Sequence, residues 1–126
     1  MKANVNDNNR PVYDLEDRTY NFARDVRRYI LTLPKSFLLK EDVIQLMKSS
    51  GSVGANYIEA NEALGKKDFL MRIRISRKEA KESAYWLRLI HDVNKLEQSD
   101  EALKLQNEAI ELKKIFSAII EKSSQK

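Results

Sequence analysis

The sequence predicts an all-α protein, an antiparallel up-and-down four-helix bundle, and three observations carry that prediction. Only three Gly and two Pro punctuate 126 residues, too few for a sandwich, barrel or Rossmann fold, all of which need many turn residues. Apolar residues recur at three-and-four spacing in four successive stretches. The connections between the stretches are short, which makes sequence neighbours pack antiparallel. One core is expected at this length. The 42% of apolar residues can build it. The 33% of charged residues, above the ~25% of average soluble domains, point to long solvated faces.

Residues 1–12 are polar and aperiodic and read as a disordered or loosely docked tail ahead of a bundle spanning 13–123. The first helix opens at Asp14 as N-cap, with Glu16 and Asp17 in its first turn and apolar positions at Leu15, Phe22, Val26, Tyr29, Ile30 and Leu33, and Pro34 stops it. The second is expected from about Lys40 to Leu64, with Val43, Ile44, Met47, Gly51, Gly54, Ala55 and Ile58 on one face and Gly65 as C-terminal cap. Two internal Gly cost a helix roughly 1 kcal/mol each. The stretch Ser49–Ala55 still reads as helical, because its small residues suit a close helix approach. The third runs from Lys66 to about Leu96. The fourth opens at Ser99 as N-cap, carries Leu105, Ala109, Leu112, Phe116 and Ile119, and gives way to a frayed tail at 124–126.

Composition excludes much chemistry. Zero Cys removes disulfides, thiolate catalysis and cysteine zinc sites, and one His, His91, makes a His-based metal site or triad improbable. No Gly-rich phosphate loop, nucleophile elbow or zinc motif occurs, so no catalytic set, cofactor or metal site is expected and the chain reads as non-enzymatic. No run approaches the ~20 apolar residues of a membrane span, and the Asn- and Asp-rich start is unlike a signal peptide. A soluble cytoplasmic protein without a membrane partner is expected.

The third helix carries three seams. Phe69, Ile73, Ser76, Ala80, Ser83, Leu87, Ile90 and Asn94 form the bundle-core face. Ile75, Glu79, Glu82, Trp86, Leu89 and Val93 form a second seam, in which large apolar residues flank two carboxylates. The resulting apolar arc is wider than one core requires, so Trp86 and Leu89 are expected on a second packing surface, against another subunit or the N-terminal segment. Glu79 and Glu82 lack the Glu-x-x-His partners of a di-iron bundle. An all-carboxylate magnesium or manganese site with Glu59 and Glu62 is a remote alternative. Pairing with Arg or Lys, within the bundle or across an interface, is the expected role.

The third seam is Lys67, Met71, Arg74, Lys78, Lys81, Tyr85, Arg88, Asp92 and Lys95. Residues 66–96 hold nine basic and four acidic groups, net +5, against +4 for the whole chain. A row of cations around a tyrosine suits a phosphate backbone and an unstacked base. A solvated face that keeps the protein soluble is the other reading of such a stripe. Arg24, Arg27 and Arg28 on the first helix are candidates to extend the patch.

Several runs together resemble a known family. They are Asp14-Leu15-Glu16 with Phe22-Ala23, the Leu33-Pro34 break, Gln45-Leu46 before the small-residue stretch, Ala55-Asn56-Tyr57-Ile58-Glu59-Ala60, and Arg72–Ser83 with Tyr85-Trp86-Leu87. Over about residues 13–122 the chain resembles the four-helix-bundle proteins encoded in intervening sequences of 23S ribosomal RNA genes. The resemblance implies a ring-like homopentamer, and kinship with the accessory variability proteins of diversity-generating retroelements, which bind nucleic acid and a reverse transcriptase through a basic surface. It places Asn56 and Glu59 on the family's Asn-Ile-x-Glu pattern and Glu79 and Glu82 on its Glu-x-x-Glu pattern, as structural signatures. Ala60 stands where the family often has Gly, and Ser76 where it often has Ala.

The combined expectation is an oligomer that binds RNA or DNA as an accessory to another protein, with Arg74, Lys78, Lys81 and Arg88 on phosphates and Tyr85 stacking. The alternative is a structural or protein-interaction module whose third-helix cations meet acidic groups on the second helix of a neighbouring subunit.

Overall fold

Asp14 starts the first helix by accepting a hydrogen bond from the Asp17 backbone N–H at 2.8 Å, which satisfies one of the unpaired donors of the first turn. The helix, α1, spans Leu15–Leu31 in the computed structural model. It stops two residues short of Leu33, because Pro34 disfavours a helical conformation in the residue before it. Thr32 closes the last turn, its backbone N–H and its hydroxyl both donating to the Tyr29 carbonyl, at 2.9 and 2.6 Å.

The second helix, α2, spans Phe37–Asn61 and corrects the expected boundaries at both ends. It begins three residues before Lys40, because Ser36 caps it, accepting from the Leu39 N–H at 3.4 Å. The chain leaves it before Leu64: Glu62 and Ala63 donate to the Glu59 and Ala60 carbonyls, each at 3.1 Å, in the tightened geometry of a helix end. Gly65, expected as its cap, opens the next helix instead, its carbonyl accepting from the Phe69 N–H at 2.9 Å. That helix, α3, spans Lys66–Asn94, and α4 spans Asp100–Ser124.

The structure describes residues 14–94 and 100–124, together with the backbone of Asn4–Val5 (β1) and Pro11–Val12 (β2), which pair antiparallel. The remainder of the tail expected over 1–12, the N-cap role of Ser99, the Lys95 and Leu96 end of the third helix and the last two residues lie outside the described residues.

Each helix packs on its sequence neighbours and α1 closes the ring against α4, while among the described residues the diagonal helices keep their backbones apart and α2 meets α4 through the core, where the Tyr57 and Phe116 rings lie 6.2 Å apart. This is the up-and-down arrangement expected from short connections. The first seam of α3 is the core face from Ile73 to Ile90, with Ile73, Ser76, Ala80, Ser83, Leu87 and Ile90 all buried, but at its ends Phe69 and Asn94 are only partly covered and Leu70 takes the buried position in the first turn. On α4 the predicted residues are buried from Leu105 to Phe116, and Ile120 completes the series, with Ile119 packed partly beside it.

On α2 the expected face is rotated. Leu39, Leu46, Ser49, Ser50, Val53 and Ala60 are buried, whereas Met47 and Ile58 are exposed. The displacement has a physical cause: the α2–α3 contact is built on serines, which an apolar pattern does not register. Ser76 donates to the Val53 carbonyl at 2.9 Å, and Ser83 to the Ser49 hydroxyl at 2.9 Å. Small side chains let the backbones approach, and their hydroxyls are satisfied in place. Against α1 the same closeness depends on Gly54, where an added Cβ would fall 2.9 Å from Thr19 Oγ1.

Candidate nucleic-acid interface on the third helix

Lying between α2 and α4, α3 buries one side and presents the opposite side to water. Arg74, Lys78, Lys81, Tyr85 and Arg88 are all exposed there, together with Lys67 and Met71. The spacing of four, three, four and three along a rigid helix holds the four candidate cations in a row of roughly 21 Å from Arg74 to Arg88 at ~1.5 Å per residue. Their engagement is slight. Lys78 Nζ lies 4.0 Å from Glu79 Oε2 and Arg88 Nε 3.9 Å from Asp92 Oδ2, distances at which exposed pairs contribute little. Arg74 and Lys81 have no ion-pair partner among the described residues.

Other basic groups of α3 turn inward. Arg72 donates to Asn56 Oδ1 at 3.0 Å, and Asn56 Nδ2 donates in turn to the Ser52 carbonyl and hydroxyl, both at 2.9 Å. Asn56 thus ties α2 to α3. Arg77 reaches Ser117 on α4 at 3.5 Å. Glu59, the expected companion of Asn56, is exposed.

The α1 arginines, candidates to extend the patch, do not join it. They lie on the helix diagonal to α3. Arg27 donates to the Ala23 and Met47 carbonyls at 3.0 and 3.1 Å, and Arg24 and Arg28 both face Asp25. Arg18 forms a two-pronged pair with Glu108 on α4, at 2.7 and 2.9 Å, which holds its guanidinium above its ordinary pKa.

The second seam borders the stripe. Trp86 packs partly against the core, whereas Ile75 and Leu89 are half-buried and Val93 is exposed. The Glu79 side chain is only 18% exposed. Its burial, reinforced by the nearby Glu82 charge and opposed by Lys78, raises its carboxyl above the usual range. Glu82 is exposed. Among the described residues no three acidic or histidine side chains come together as metal ligands. His91 is partly covered, its Nδ1 lying 3.7 Å from Asp92.

The structure adds a feature that spacing did not predict. At the start of α3, Leu64, Met71 and Ile75 line a shallow, open surface cleft of about 870 Å³ together with Lys67, Arg74 and Lys78. Lys67 and Met71 were legible as members of the stripe. Leu64 was not, since it reads as the end of the second helix but stands fully exposed in the connection. Among the described residues no helix is long and apolar enough to cross a membrane.

Comparison with known proteins agrees with this architecture. Among curated proteins, none matches. A crystal structure of a protein of unknown function from the S23 ribosomal protein family, from Bacteroides thetaiotaomicron, is similar to the chain at 30% identity. The match covers 85% of this chain and 98% of that one, with a TM-score of 0.69. A family model matches residues 13–118, which takes in the first three helices and most of the fourth, so the chain belongs to the family of 23S rRNA-intervening sequence proteins.

Proposed function

We propose that this protein is a non-enzymatic, self-assembling four-helix bundle that binds RNA or DNA along the outer face of α3 and serves as an accessory to another nucleic-acid-handling protein. One observation carries the reading. Four cations, Arg74, Lys78, Lys81 and Arg88, stand in register on one exposed helix face, and none is drawn into the packing of its own chain. Arg18, Arg27, Arg72 and Arg77 are bonded to neighbouring helices, and although lysines elsewhere are also exposed, what sets this row apart is the alignment of four cations along one helix face. Phosphates supply the complementary charge, and Tyr85 between Lys81 and Arg88 supplies a ring. The test is fluorescence anisotropy with a labelled oligonucleotide at ~50 mM salt. Binding that is lost when the four cations become Ala supports the proposal, and absence of binding by the unaltered protein removes it.

Self-assembly rests on a different observation, the second seam. Ile75 and Leu89 are half-buried, Val93 is exposed, and Glu79 is a shielded carboxylate whose nearest cation within the chain is 4.0 Å away. Covering this strip with another copy would remove apolar surface from water. A cation brought by the neighbour would offset the Glu79 charge. Light scattering on Leu89→Glu should report a smaller species than the unaltered protein; an unchanged mass would place assembly elsewhere.

A further inference from the structure

We infer that the outer face of α3 selects single-stranded over duplex nucleic acid, because it is built to take unpaired bases at two fixed points, the cleft at the start of the helix and the Tyr85 ring. The inference rests on the nucleic-acid reading above and sharpens it. Cations alone make no such choice, since phosphates are common to both forms. The apolar groups between them do. Leu64 is fully exposed and Met71 is 46% exposed in the shallow cleft, which Lys67, Arg74 and Lys78 also line. Asp68 also lines it. A carboxylate there repels a phosphate, so the apolar side chains suit an uncharged base, with the neighbouring phosphates on the cations.

Tyr85 repeats this arrangement further along the helix. Its side chain is 59% exposed between Lys81 and Arg88, and it meets Trp86 edge to face, with ring centroids 5.0 Å apart and planes at 79°. Trp86 is anchored against the core, so the exposed ring is braced and loses little freedom when a base stacks on it. A duplex keeps its base faces inside the stack and would leave Tyr85 and the cleft uncovered. From Met71 to Tyr85 is fourteen residues, roughly 21 Å, a distance that a strand of a few nucleotides spans.

The experiment compares the full chain binding a labelled twelve-nucleotide thymidylate strand and a twelve-base-pair duplex, at ~50 mM salt. The single strand should bind about tenfold tighter or better. Tyr85→Ala and Met71→Ser should each weaken it about tenfold, with Tyr85→Phe close to unaltered and the salt slope unchanged. Both sites are exposed, and an unshifted thermal melt confirms that folding is intact. Equal binding of strand and duplex, or variants that weaken both alike, would overturn the inference while leaving nucleic-acid binding in place. Failure to bind either probe would remove the underlying reading as well. A solution mass that falls when Leu64 and Met71 become Ser, with affinity for the strand unchanged, would assign the cleft to a second copy and overturn the inference too.

Discussion

Two helices of this bundle are rich in arginine, and they use it in opposite ways. On α1, Arg18 is clamped to Glu108 by two hydrogen bonds, Arg27 fastens to a carbonyl of α2, and Arg24 and Arg28 share Asp25. On α3, Arg72 and Arg77 likewise reach neighbouring helices, but Arg74, Lys78, Lys81 and Arg88 point away from every other helix of the chain. Charge density along a sequence does not separate the two cases. What separates them is helical phase: a basic residue on the flank of a helix finds a carbonyl or carboxylate across the seam, whereas one on the outer midline finds only water or a partner.

The contrast can be broken most sharply by replacing Arg74, Lys78, Lys81 and Arg88 together with Ala. Oligonucleotide affinity should fall by at least about a hundredfold, because the electrostatic contribution supplies most of the binding. The thermal melt should hardly move, since surface substitutions away from packed features cost within ~0.5 kcal/mol each. A variant that loses stability in proportion to affinity would show that the row supports the fold.

Gly54→Ala probes the packing beneath the contrast. The added Cβ meets Thr19 at 2.9 Å. Overpacking of about 1–3 kcal/mol is then only partly offset by the ~1 kcal/mol gain in helix propensity. A net loss of about 1 kcal/mol in urea unfolding is expected. Gly65→Ala, with nothing within 4 Å of the added Cβ, is the neutral control.

Arg18→Ala is the counterpart of the α3 replacement. It should lower stability by about 1 kcal/mol, a modest figure because the pair is partly solvated, and leave oligonucleotide affinity unchanged. Loss of affinity here would erase the distinction between the two helices.

The smallest expected effect is at Glu79. Its raised carboxyl pKa means that the folded chain holds that proton more tightly than the unfolded chain does. Its contribution to stability is therefore full below the ordinary carboxylate range and lost as pH rises through the raised value. Glu79→Gln should melt slightly higher than the unaltered protein near neutral pH, and the gap should close below about pH 4. If Glu79 meets a cation of a neighbouring subunit, the same variant should also assemble less well by light scattering.

The fold was legible in the sequence wherever burial is apolar. The Ile73, Leu87 and Ile90 seam of α3 and the Leu105–Phe116 series of α4 stand where their spacing places them. The face of α2 was not legible, because Ser49 and Ser50 sit where a hydrophobic pattern expects Leu or Ile. Hydroxyls satisfied by nearby carbonyls and by one another behave as small core residues, and no periodicity of apolar residues reports that. The start of α2 was missed for a related reason: Phe37 is 93% exposed and adds nothing to a core face, so the Ser36 cap alone marks it. Of the candidate interface, the stripe was visible as spacing. Two properties were not: which arginines the neighbouring helices claim, and the cleft that Leu64 joins from outside the helix. The first depends on packing between elements distant in sequence, and the second on how the connection before α3 lies along the start of that helix.

The most direct test is the salt dependence of binding to a single-stranded oligonucleotide, measured for the unaltered protein and for the fourfold Ala variant. With four phosphates neutralised at ~0.7 counterions each, log affinity should fall against log salt with a slope near −3 for the unaltered protein and approach zero for the variant. Equal slopes for the two proteins, or no binding at ~50 mM salt, would contradict a nucleic-acid role for the outer face of α3.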